Sequence, residues 1–149
     1  MSIIQNTKLL PYAKSQLFDL VMDIDSYHEF LPFCTGSRIV HLLSDHLVAE
    51  ITIVFAPFSI VYNSRVITKQ SDNLSMIEAT ALDGPFKHLS NIWRFKKEQD
   101  STLVEFMLDF ELKSLLLERA VSKLFYKSHS MIIQAFEKRA EYKYGTKGY

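Results

Sequence analysis

The sequence predicts an α+β domain in which a curved antiparallel sheet of six or seven strands wraps around a long C-terminal helix. Three observations point there. Between Leu47 and Leu112, apolar residues recur with period two in successive short runs, as half-buried strands require. From Ser114 onward the period lengthens to about 3.6, and neither Gly nor Pro recurs before Gly145. The strand runs also follow one another closely, without helical segments between them, which favours a meander over βαβ units.

Taken in order, Ser2 to Leu10 is β-branched at its start, ends at Pro11 and fits a first strand. Ala13, Leu17, Leu20 and Val21 keep the three-or-four spacing of one helix face up to Met22. Ser26-Tyr27-His28-Glu29-Phe30 fits a second helical turn, with Ser26 as N-cap, Glu29 as its capping-box partner and Pro32 as terminator. After Gly36 the period becomes two. Leu47, Ala49, Ile51, Ile53 and Phe55 alternate with Val48, Glu50, Thr52 and Val54, and Ala56-Pro57 breaks the run. Phe58, Ile60, Tyr62 and Val66 then share one face, opposite Ser59, Asn63 and Arg65. Ser71-Asp72-Asn73 turns the chain into a weaker strand from Leu74 to Leu82. Asp83-Gly84-Pro85 makes the next turn, before Leu89, Asn91, Trp93 and Phe95 on one face. The clearest strand sets Thr102, Val104, Phe106, Leu108, Phe110 and Leu112 against Glu105, Asp109 and Glu111. In the C-terminal helix Leu117, Val121, Leu124, Met131, Ala135 and Arg139 fall on one stripe, widened by Ala120, Phe125, Ile132 and Phe136. About 27 helical residues span roughly 40 Å, the length of the domain itself, so this helix must lie along the sheet.

The 149 residues carry 17 basic and 17 acidic side chains, 48% hydrophobic residues, four Gly, four Pro and one Cys. That composition fits one domain, residues 1–149, large enough to bury a core without disulfides. A net charge of zero argues against binding DNA by bulk electrostatics. No apolar run reaches the roughly 20 residues of a membrane span, and the N-terminus lacks the basic start of a signal sequence. A cytoplasmic protein is expected, with peripheral contact at an inner membrane as the alternative. The unusual feature is the aromatic set of eleven Phe, seven Tyr and one Trp, much of it on inward strand faces.

Reactive chemistry is sparse. Cys34 is the single thiol and fits a packed small hydrophobe better than a nucleophile. His28, His41, His46, His88 and His129 show no metal-ligand spacing, so no metal and no resident cofactor are expected. Catalytic residues are not expected either. His41 and His46 flank an exposed turn, and Asp83 starts another. Lys138, Arg139, Lys143 and Lys147 form a basic end that complements a helix dipole; an RNA or anionic-membrane contact is the sharper alternative. Lys14, Arg38 and Lys87 are scattered charges, either solvated surface or phospholipid contacts.

Two segments, Phe30-Leu31-Pro32-Phe33-Cys34-Thr35-Gly36-Ser37-Arg38-Ile39 and Asp83-Gly84-Pro85-Phe86-Lys87-His88-Leu89-Ser90-Asn91-Ile92-Trp93-Arg94-Phe95, resemble the coenzyme Q-binding Coq10/RatA family of the START-like, polyketide cyclase-like superfamily. Leu10-Pro11-Tyr12, Leu108-Asp109-Phe110 and Gln134-Ala135-Phe136-Glu137-Lys138-Arg139-Ala140 extend the resemblance along nearly the whole chain. Bacterial members often carry Gly where this sequence has Ser90-Asn91-Ile92. The resemblance implies a helix-grip fold, and a bacterial or organellar protein that binds ubiquinone or a related isoprenoid lipid without catalysis, in support of respiration and ubiquinone biosynthesis. The bacterial branch implies an alternative partner, the large ribosomal subunit, whose association with the small one such a protein hinders. An aromatase or cyclase activity is the third reading.

Under the lipid reading, Phe55, Phe58, Tyr62, Phe86, Asn91, Trp93 and Phe106 line a cavity with Leu124 and Met131, joined by Ile53, Ile60, Phe95, Phe110 and Ile132. Pattern alone favours a solid core, and it is the resemblance that implies a cavity instead. Phe30, Leu31, Pro32 and Phe33 form either a lid or membrane-touching mouth, or a cap on the core. Asn91, if inward, is the residue best suited to a quinone carbonyl; neighbouring backbone is the other partner open to it.

Overall fold

The computed structural model describes residues 2–145. Seven strands, β1 (Ser2–Leu10), β2 (Cys34–Leu42), β3 (Leu47–Phe55), β4 (Phe58–Gln70), β5 (Leu74–Ala81), β6 (Phe86–Glu98) and β7 (Ser101–Leu112), form one sheet in the order β1-β7-β6-β5-β4-β3-β2. Every pairing is antiparallel, so β2 to β7 are a meander and only β1 crosses to the far edge. Register shifts at Cys34/Gly36, Ile39/His41 and Phe86/His88 bend the sheet, as bulges do. Between β1 and β2 lie α1 (Lys14–Met22) and the 3-10 helix Ile24–Glu29. The chain ends in α2 (Leu115–Lys127) and α3 (Met131–Tyr144).

Two local expectations are corrected. The C-terminal helix is not continuous: Ser128 leaves the helical region with φ −138°, and α3 restarts at Met131. The stripe Leu117, Val121, Leu124 reaches its next position at Ser128, which offers the sheet nothing to bury and is a weak helix former. Beyond the break the phase changes. Ile133, Phe136 and Ala140 become the buried face of α3, and Ala135 and Arg139 move off it. Ser26 is likewise no N-cap, because it lies inside the 3-10 helix, where its N–H donates to Asp23 O. Glu29 has a distant partner instead, an ion pair with Arg139 at 3.1 Å.

Sheet and helices enclose two unlike interiors. Under α1 the space is filled: Leu10, Leu17, Leu20, Phe95 and Val104 are buried, and Phe18 meets Phe95 edge-on at 6.3 Å. Phe95 therefore belongs to this packed core and not to the cavity wall. Trp93 is the partition. Its indole stacks at 6.0 Å on Phe95, and on its other sides meets Phe106 at 4.8 Å and Phe136 at 5.0 Å.

Candidate functional site: an uncharged cavity

Beyond Trp93, toward α2 and the helix break, the interior is hollow. The cavity measures about 210 Å³, many times the roughly 10–15 Å³ that admits one water. Its floor is the concave sheet face, with Ile51, Ile60, Tyr62, Ser64, Ala79, Asn91 and Leu108 among its residues, and its roof is Val121, Leu124, Phe125, Met131, Ile132 and Phe136. Inward-facing Tyr62, Ala79, Leu108, Val121 and Leu124 remain only half-buried, because no side chain occupies the space they face.

Of the expected site residues, Leu31, Pro32, Phe33, Phe55, Tyr62, Phe86, Asn91, Trp93, Phe106, Leu124 and Met131 line this cavity, as do Ile53, Ile60, Phe110 and Ile132. Phe30 and Phe58 do not. Phe30 points at α3, edge-on to Phe136 at 5.0 Å and to Tyr27 at 6.1 Å, with the Arg139 guanidinium 5.1 Å above its ring. It is thus a cap on the core. Phe58 stands outside the lining and braces Phe55 at 5.5 Å, and Phe55 in turn touches Phe33 at 6.1 Å. Alternation put Phe58 on the right strand face, but at the hairpin tip that face has no roof above it.

The two longer motifs build the mouth. Phe33 turns the chain into β2 at φ 67°, its carbonyl accepts the Val54 N–H at 2.8 Å, and it is 39% exposed. It and Pro32 are the exposed members of the lining, so the cavity meets the surface beside the β3–β4 hairpin. That hairpin turns through a cis Ala56-Pro57 peptide. In the second motif, Asp83 accepts both the Asn63 backbone N–H at 2.6 Å and its side-chain amide at 2.8 Å. The Asn63 hydrogen bonds hold this carboxyl below its usual range. Gly84 adopts φ 87° flush against Tyr62, and Phe86 packs edge-on to the Tyr62 ring at 5.1 Å.

Among the described residues no charged side chain belongs to the lining. Its polar members are Tyr27, Tyr62, Ser64, Asn91 and Trp93. The Tyr27 hydroxyl donates to Val21 O, and burial pushes its phenol up. Burial likewise pushes Tyr62 up to about 12, so both phenols stay neutral. Asn91 does point inward, and its Nδ2 donates to Met107 O at 2.9 Å. Cys34 is buried; its thiol lies 3.4 Å from Gly36 O, and burial pushes its pKa up, against a nucleophilic role. Tyr27 and Ser64 are wall residues that the sequence reading passed over. Ser64 was accessible to it, since period two carries the inward face of β4 from Tyr62 through Ser64 to Val66.

The scattered basic residues are engaged elsewhere. Lys14 donates to Ser71 O and Ser75 Oγ at the β4–β5 turn, at the opposite end from the mouth. Arg38 pairs with Glu50 at 3.1 Å and Lys87 with Glu111 at 3.6 Å. In the C-terminal basic set, Arg139 pairs with Glu29 and Lys143 with Asp23 at 3.8 Å; Lys147 lies outside the described residues. His88 meets Asp109 at 3.0 Å and His46 meets Asp45 at 2.7 Å. Among the described residues no helix is long and apolar enough to cross a membrane.

Known proteins are similar to this chain in sequence and in architecture. Residues 10–137 match the family described as polyketide cyclase / dehydrase and lipid transport. The ribosome association toxin RatA of Rickettsia prowazekii is 38% identical over 138 residues, which cover 92% of this chain and 94% of that protein. The mitochondrial coenzyme Q-binding protein COQ10 of Dictyostelium discoideum is 32% identical over 94% of this chain and 69% of its own length. A START superfamily protein from Mycobacterium smegmatis superimposes with a TM-score of 0.78 at 19% identity, covering 95% of this chain and 98% of that one. The chain belongs to the polyketide cyclase / dehydrase and lipid transport family, as a Coq10/RatA-like member with the START-like helix-grip fold.

Proposed function

We propose that this protein binds ubiquinone, or a related isoprenoid lipid, in the cavity between sheet and C-terminal helices, without catalysing its conversion, and thereby supports respiratory electron transport and ubiquinone biosynthesis. The cavity's uncharged apolar wall carries the reading. Each isoprenoid carbon buried there contributes about 0.8 kcal/mol. Among the described residues the lining has no carboxylate, imidazole or ammonium to move a proton, so a holding role suits it better than cyclase chemistry. The quinone is bound cargo, and no resident cofactor is proposed. In the test, delipidated protein is titrated with ubiquinone and with a saturated lipid of similar length. Saturable binding that favours the quinone is expected; no saturable binding, or equal binding of both, overturns the reading.

Cargo of this kind resides in bilayers, and the mouth end is built for one. Phe33 is exposed at the mouth and Leu115 and Leu116 just past the end of β7, whose Leu112 pairs with cavity-lining Phe86; Val54 and Val61 are exposed on the outer sheet face, between lining residues. Peripheral contact with an inner membrane, from the cytoplasm or its organellar equivalent, follows. Phospholipid contact through Lys14, Arg38 and Lys87 is not part of this reading, since those charges are already engaged.

A second reading, association with the large ribosomal subunit, is favoured by the relatives named RatA, one of them 38% identical. Co-sedimentation with large subunits at moderate salt supports it, and a protein left wholly in the supernatant removes it.

A further inference from the structure

The cavity floor carries two polar groups whose hydrogen-bonding capacity is unspent. Ser64 is 5% exposed, lies in the lining, and its Oγ has no hydrogen-bond partner among the described residues. Its strand neighbours are Ala49 on β3 and Ala81 on β5, two methyl side chains, and in its present rotamer the hydroxyl is enclosed. Asn91 uses one amide hydrogen on Met107 O; its second hydrogen and its Oδ1 have no partner among the described residues. Buried hydroxyl and amide groups are nearly always bonded, and a wall this apolar offers few substitutes. A turn of the Ser64 side chain between staggered rotamers is enough to present its hydroxyl.

Their position is as informative as their chemistry. Along β4, Ser64 lies six residues inward from Phe58 at the hairpin tip, about 20 Å at a strand's rise per residue. Asn91 pairs with Ala79, which pairs with Val66, the next inward residue after Ser64. The two polar groups therefore sit deep on the floor, on β4 and β6 with β5 between them, whereas the mouth is ringed by Phe33, Phe55 and Pro32. No lining residue could balance a carboxylate or phosphate at that depth, and an unpaired buried charge is strongly disfavoured.

We infer that Ser64 and Asn91 form a headgroup site for a neutral, oxygen-bearing group, a carbonyl or hydroxyl, which enters first and leaves its hydrocarbon tail toward Phe33 and Phe55. The site accepts quinones and long-chain alcohols or ketones and rejects fatty-acid anions of equal length. The inference rests on the lipid-binding reading above and adds to it a charge selectivity and an orientation.

Trp93 lines the cavity and is the chain's single Trp, so its fluorescence reports occupancy directly. Delipidated protein is titrated at neutral pH with a short-chain ubiquinone, tetradecanol, myristate and the hydrocarbon tetradecane, with competition against the quinone for the non-quenching ligands. Tetradecanol is expected to bind at least tenfold more tightly than myristate. Ser64→Ala and Asn91→Ala are each expected to weaken quinone binding roughly three- to tenfold, the value of one hydrogen bond, with tetradecane binding unchanged. Ser64→Ala removes a single oxygen, and an unaltered melting temperature confirms that its fold is intact. Myristate binding as tightly as tetradecanol, or unchanged quinone affinity in both variants, overturns the headgroup site and leaves the lipid reading standing. Absence of saturable binding by every probe, tetradecane included, overturns both.

Discussion

At Cys34 a lone thiol sits in the motif that forms the cavity mouth, yet it is buried, and its hydrogen bond goes to Gly36 O. Burial raises its pKa, and the thiolate is the reactive form. A thiol reagent at neutral pH should leave the native protein unmodified and titrate one group per chain in denaturant; rapid labelling of the native protein contradicts this placement. Asp83 makes the complementary case for a carboxylate. The Asn63 bonds lower its folded pKa below the ordinary 3.9 or so. Its contribution to stability is present above the unfolded value and lost as pH falls through the folded one. Urea midpoints of the wild type and Asp83→Asn should therefore differ by a constant amount above about pH 5 and converge as pH falls below 4; a gap that persists in acid refutes the linkage. Residues of this kind were legible only in part. Alternation placed Trp93, Phe106 and Asn91 on the inner face because period two depends on nothing beyond the strand. Phe30 depended on a partner more than a hundred positions away, and no local pattern encodes the Arg139 side chain that covers it.

Among the elements, the motif turns carry more than their length suggests. Gly84 has φ 87°, and a Cβ there would stand 2.8 Å from the Tyr62 Cβ. Gly84→Ala is expected to cost more than about 1 kcal/mol in denaturant unfolding and to weaken ligand binding by displacing Tyr62; a neutral effect on both contradicts the role assigned to this turn. The 3-10 helix is held by a different device. Arg139 is 12% exposed, pairs with Glu29, and lies 5.1 Å from the Phe30 and Tyr142 rings. Arg139→Met keeps most of the packed stem but loses the charge, and should cost about 1–2 kcal/mol by urea titration. An unchanged midpoint removes the latch. Element types were readable in order because each has its own period. The break between α2 and α3 was not, since Ser128-His129-Ser130 contains neither Gly nor Pro and a helix can tolerate one polar stripe position. Tertiary packing decided it: α2 roofs only the hollow, whereas α3 gives Met131, Ile132 and Phe136 to the hollow and turns Ile133 toward Leu17 and Val104 of the filled interior, a division one straight helix could not make.

For the whole molecule, the informative quantity is the zero net charge together with where apolar surface is left uncovered. A protein that reaches membranes by charge loses that attraction as salt screens it. Here Arg38, Lys87, Arg139 and Lys143 are already paired with carboxylates, whereas Leu115 and Leu116 stand 64% and 70% exposed just past the end of β7, which pairs with cavity-lining Phe86. Association with vesicles should therefore depend on these leucines and hardly on ionic strength or on the fraction of anionic lipid. The double variant Leu115→Glu/Leu116→Glu changes two exposed positions at the start of a helix, where acidic side chains complement the dipole, so its fold should be at least as stable as the wild type. In vesicle flotation the wild type should float equally at low salt and at 0.5 M, and the variant should stay in the dense fraction while still binding quinone presented in detergent. Flotation abolished by salt, or retained by the variant, would mean that the mouth end does not face the bilayer, and the cavity would then have to fill from a soluble donor.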